Sequence, residues 1–105
     1  MKLWLLLALT LTACASSLTR LEDAQTSLET HQKLYLANCC AAKAGSVCTS
    51  MSAEQPCVTY GAAVNHLAHL VDAGQAALEG GKMPKSIEVE IKKAEANLEK
   101  VAVLR

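Results

Sequence analysis

Apolar and polar positions recur along this chain mostly at helical spacing. Leu3-Trp4-Leu5-Leu6-Leu7-Ala8-Leu9 forms one apolar run behind Met1-Lys2, with Thr10 and Thr12 as mild interruptions. Further on, Leu18, Leu21, Gln25, Leu28, Gln32, Tyr35 and Cys39 repeat at alternating steps of three and four, a helical seam with polar breaks. It fits a helix–helix contact within the domain. Gln at two seam positions leaves a coiled-coil face for a partner open as well. Ser17 suits an N-cap, Glu22-Asp23 suit an early turn, and Gly45 suits an αL cap. Ser46 to Ser52 reads as a loop.

Gln55-Pro56 marks a second start, because Pro fits the first helical turn. Tyr60, Val64, Leu67, Val71, Gly74 and Leu78 form the cleanest seam. Gly61 and Gly74 weaken this helix but let another backbone approach. Gly80-Gly81 stops it. Pro84 or Ser86 opens a third helix, with Ile87, Ile91, Ala94, Leu98 and Val101 on one face. Glu88–Lys92 and Glu90–Lys93 are spaced as helical ion pairs, and the charge run from Lys82 to Lys100 reads as a solvated face. The expected fold is all-α: a small three-helix bundle, up-down-up, with helices at about 18–44, 56–79 and 85–103 and a disulfide-stapled turn between helices 1 and 2. A less compact version keeps helices 2 and 3 as a hairpin and lets helix 1 project as a stalk.

The first apolar run is too short to span a bilayer, which takes about 20 residues. A positive start, a short apolar region and small residues at its end are the layout of a secretory signal. Leu11-Thr12-Ala13-Cys14 follows the lipobox order of an aliphatic residue, a small residue, Ala or Gly, then Cys. In this it resembles bacterial lipoprotein precursors. The resemblance covers residues 1–14. It implies that the Cys14 thiol takes a diacylglyceryl group, that cleavage falls before Cys14, and that the new amino group is acylated. Several acyl chains give stable anchoring where one does not. With Ala15-Ser16 rather than Asp after the Cys, the resemblance points to the outer membrane, facing the periplasm. The expected organisation is a signal peptide at 1–13, a lipidated tether at 14–17 and a helical domain at 18–105. Ala13-Cys14-Ala15 also reads as an ordinary cleavage site, which would release a soluble secreted form cut after Ala15.

Of 105 residues, 10 are Lys or Arg and 10 are Asp or Glu. This balance offers no basic excess for nucleic acid or anionic lipid. Phe is absent and the single Trp lies in the first run. An Ala-rich, aromatic-poor core suits closely packed helices. Five Cys occur. Setting Cys14 aside leaves Cys39, Cys40, Cys48 and Cys57, an even set that reads as disulfides in a small exported domain. Cys39 and Cys57 lie on facing seams near the turn, which favours Cys39–Cys57 and leaves Cys40–Cys48; the swapped pairing is the alternative. A bond between adjacent Cys39 and Cys40 is disfavoured by strain. A four-Cys zinc site is the competing reading, but the spacing is not a familiar zinc pattern.

His66, His69 and Asp72 lie three apart on helix 2, a stripe with metal-ligand chemistry. They sit opposite the apolar seam, so solvent-exposed polar residues are the simpler reading. His31 has no evident link to them. No G-x-S-x-G, H-E-x-x-H or phosphate loop is present, so neither an enzyme nor a cofactor is expected. The functional expectation is a lipid-anchored envelope protein with a structural or protein-interaction role, meeting a partner or a second copy of itself. A periplasmic metal or small-ligand carrier using His66 and His69 is the alternative.

Overall fold

A computed structural model of the chain describes residues 2–104, with side chains described from Ser17 to Leu104. The side chains of the expected signal peptide, of the Cys14 lipidation site and of residues 14–16 of the tether lie outside the described residues. In order, the elements are α1 (Lys2–Cys39), β1 (Cys40–Ala44), β2 (Val47–Met51), α2 (Gln55–Glu79) and α3 (Lys85–Val101). Among the described residues the fold is mostly helical, with three helices and one two-stranded antiparallel sheet. The all-α expectation is corrected by that sheet.

The sheet replaces both the end of the expected first helix and the loop after it. α1 runs straight through Ser17, so that residue is not an N-cap and the helix does not begin at residue 18, and it stops at Cys39 rather than at residue 44. Ala44 pairs with Val47, so Gly45-Ser46 is a two-residue hairpin turn. Gly45 has φ 66°, and no residue other than glycine among those described has positive φ. Gly at the first central position is the requirement of a II′ turn, whose twist matches the strands it joins. Gly45 therefore turns a hairpin rather than capping a helix. Register shifts leave Ala41 on β1 and Thr49 on β2 without a direct partner.

The helices run up, down and up. Cys39 meets Cys57, His31 meets Tyr60, and Leu21 lies beside Gly74, so α1 and α2 are antiparallel. The α2–α3 turn has the hydrogen bonds of a Schellman motif. Lys82 N–H donates to Ala77 O and Gly81 N–H to Leu78 O, with Gly81 at φ 112°. Met83 follows and is buried. α3 ends at Val101, short of residue 103, and Ala102 turns extended. Arg20 of α1 meets Glu88 of α3 at 3.8 Å. Glu88 thus pairs across the bundle rather than with Lys92, while Glu90 and Lys93 form the expected pair at 3.8 Å.

The α2 seam is buried from Tyr60 through Gly74, and Ile91, Ala94 and Leu98 close it from α3. The α1 seam differs from its expected course. Leu21, Ala24, His31 and Cys39 are buried, with Leu28 and Tyr35 partly so. Gln32 is exposed, Gln25 only partly covered, and Leu18 is 50% exposed. The stripe rotates by one residue, placing Ala24 and His31 where Gln25 and Gln32 were expected. What approaches Gly61 and Gly74 is side chain rather than backbone: the Tyr35 ring at the first, Leu21, Met83 and Ile91 at the second.

Candidate functional site

Four cysteines gather where α1 ends, the hairpin turns back and α2 begins. Cys39 is the last residue of α1 and Cys57 lies in the first turn of α2; they are bonded, with Cα atoms 5.6 Å apart. Cys40, the next residue, is bonded to Cys48 across the hairpin, with Cα atoms 5.9 Å apart. Cys39 and Cys57 are fully enclosed, whereas Cys40 and Cys48 are both partly exposed. In the chain-entropy account, loops of these lengths stabilise by about 3 and about 2.5 kcal/mol respectively if closed separately. Their nesting makes the sum smaller. The Ser52 N–H donates to Cys39 O at 2.6 Å, tying the exit of β2 back to the end of α1.

One layer deeper lies a polar pair that helical spacing alone did not reveal. His31 is 8% exposed, and its Nδ1 is 2.6 Å from the Tyr60 hydroxyl. Which of the two groups donates is set by the imidazole tautomer. The same hydroxyl lies 3.4 Å from the His31 carbonyl oxygen, an acceptor. The His31 and Tyr35 rings both stand edge-on to Tyr60. Burial pushes the Tyr60 phenol above its usual 10.0. Tyr60 was legible as a seam residue, but its partner was not. A histidine next to the wrong seam gives no local signal of burial.

The α1–α3 side carries charge. Burial raises the Glu95 carboxyl above its ordinary value, Asp23 of α1 raises it further, and Arg20 opposes both. Ser27 of α1 joins Lys92, Glu95, Ala96 and Glu99 of α3 around an open groove here.

His66, His69 and Asp72 are exposed on α2. Among the described residues no three His, Cys, Asp or Glu side chains gather closely enough to hold a metal ion. Nor is any helix among them long and apolar enough to cross a membrane. The chain matches no family model, and no curated protein or solved structure aligns with it significantly.

Proposed function

We propose that this chain is a lipid-anchored, disulfide-stapled helical domain of the bacterial cell envelope that works by contacting another protein or a second copy of itself. The observation that carries the reading is the division of the cysteines. The chain has five. Cys39, Cys40, Cys48 and Cys57 are used in two bridges, which suits an oxidising compartment. The fifth is Cys14, at the lipobox position behind a signal-like run. Acylation there is the chemistry that the sequence motif supports.

A contact role is supported by Leu36 at 50% exposure and Val47 at 64%, which border one groove between α1 and the hairpin. The polar breaks at Gln25 and Gln32 lend no support, because neither residue lies on the buried stripe.

Metabolic labelling with a fatty acid in cells expressing the full chain tests the anchor. Label is expected on the parent and lost in Cys14→Ser; label unchanged by that substitution sinks the anchor. Crosslinking in intact membranes is expected to trap a partner or a dimer, and a monomer without crosslinks counts against the contact role.

A further inference from the structure

We infer that the Cys40–Cys48 bridge is a thiol-exchange site open to a reducing dithiol, while the Cys39–Cys57 bridge beside it is sealed. This rests on the oxidised, exported state proposed above, and not on the anchor.

Two consecutive residues fall in two environments. Cys39 is 1% exposed and Cys57 is 0% exposed, so no thiol reaches their bond unless α1 parts from α2. Cys40 and Cys48 are partly exposed, on a hairpin that packs mainly against α1. Exchange requires a thiolate to reach a sulfur directly, which separates the two bonds. A groove lined by Leu36, Ala37, Lys43, Ser46, Val47 and Cys48 leads to the open one. Lys43 stands opposite Cys48 in the ladder. Cross-strand partners have Cβ atoms about 5 Å apart. From that position the flexible Lys43 stem can bring its ammonium to a departing Cys48 thiolate, which would make Cys48 the better leaving group.

The step follows from that asymmetry. One thiolate of the dithiol attacks Cys40 Sγ, the Cys40–Cys48 bond breaks, and its electron pair leaves on Cys48 beside Lys43. The dithiol's second thiolate then attacks its first sulfur, now bonded to Cys40, and Cys40 leaves as a thiolate. The dithiol ends as a disulfide; Cys40 and Cys48 gain two electrons and take up protons as their thiolates require. An isolated two-stranded hairpin is marginal in water, so release of the staple loosens it. Cys39–Cys57 still ties α1 to α2. The hairpin is thus a surface that redox chemistry can loosen without undoing the bundle.

The test uses the purified, fully oxidised chain with limiting dithiothreitol, iodoacetamide quenching at intervals and peptide mapping. Cys40 and Cys48 should be alkylated well before Cys39 and Cys57, because exchange needs access to the sulfur. Lys43→Gln should keep that order, leave the helical circular dichroism unchanged and slow the labelling several-fold. Glutathione should leave its adduct on Cys40. Labelling of Cys39 and Cys57 first, or of all four together, overturns the site. An unchanged rate in Lys43→Gln, or an adduct on Cys48, overturns the assigned step. Bridge content in cells, measured separately, tests the export reading.

Discussion

Leu21 of α1 reaches over Gly74 of α2 so closely that a Cβ on Gly74 would lie 3.0 Å from Leu21 Cδ1. Met83 Sδ would be 3.2 Å away and Ile91 Cδ1 3.7 Å away, so side chains from α1, α3 and the last turn converge on one missing methyl group. Leu21 and Met83 are both buried and have little room to retreat. Gly74→Ala gains about 1 kcal/mol of helix propensity, against overpacking that typically costs about 1–3 kcal/mol. The expected net effect is a lower melting temperature. In a Leu21→Ala background, where the space is vacated, Gly74→Ala should instead raise it. Thermal melts of the four chains check this change of sign.

Tyr60→Phe leaves the His31 Nδ1 without its hydrogen-bond partner inside the bundle. A buried polar group left unpaired costs about 1–3 kcal/mol. Urea unfolding should show a loss of that size, since the ring itself is retained. The raised Tyr60 phenol adds a pH signature. Its folded value lies above the unfolded one, so its contribution is complete below pH 10.0 and is lost as pH rises through the folded value. Ultraviolet titration of the phenols should show one tyrosine ionising late, together with unfolding.

The two bridges should differ when removed. Replacing Cys39 and Cys57 with Ser loosens the junction of α1 and α2 and leaves hydroxyls in the core. The expected cost is at least about 3 kcal/mol. Replacing Cys40 and Cys48 with Ser should mainly open the hairpin. Hydrogen exchange should then rise at residues 40–51 while the α2 and α3 amides stay protected.

Glu95 gives a test of sign. A carboxyl raised by burial and by Asp23 holds its proton more tightly in the folded state. Its contribution is full below 4.5 and falls as pH rises through the folded value. Glu95→Gln should therefore be more stable than the parent near neutrality, with the gap closing on acidification below that point. Melts in acidic and neutral buffer decide it; a variant less stable at neutral pH contradicts the assignment.

The α2 and α3 faces were readable because their apolar positions are uninterrupted and their stops carry Gly80-Gly81 and Pro84. The α1 face was not. Ala24 and His31 announce burial weakly, and the hydrogen-bond partner of His31 inside the bundle is Tyr60, distant in sequence. The hairpin was hidden by Ala41, Ala42 and Ala44, good helix formers in a segment that forms strand. Gly45-Ser46 before Val47-Cys48-Thr49 was the available signal, a two-residue turn leading into a strand. The disulfide framework was legible from cysteine number and seam position, because covalent geometry needs only that two elements meet.

The antiparallel course of α1 and α2 sets a distance. Ser17 and the hairpin lie at opposite poles of the bundle, separated along α1 by the rise from Ser17 to Cys39, about 33 Å at 1.5 Å per residue. With α1 standing upright on a bilayer that grips the chain just ahead of Ser17, the redox-open hairpin would sit that far out, like a lamp on a post. Whatever meets it would have to reach it across the aqueous space rather than from within the lipid.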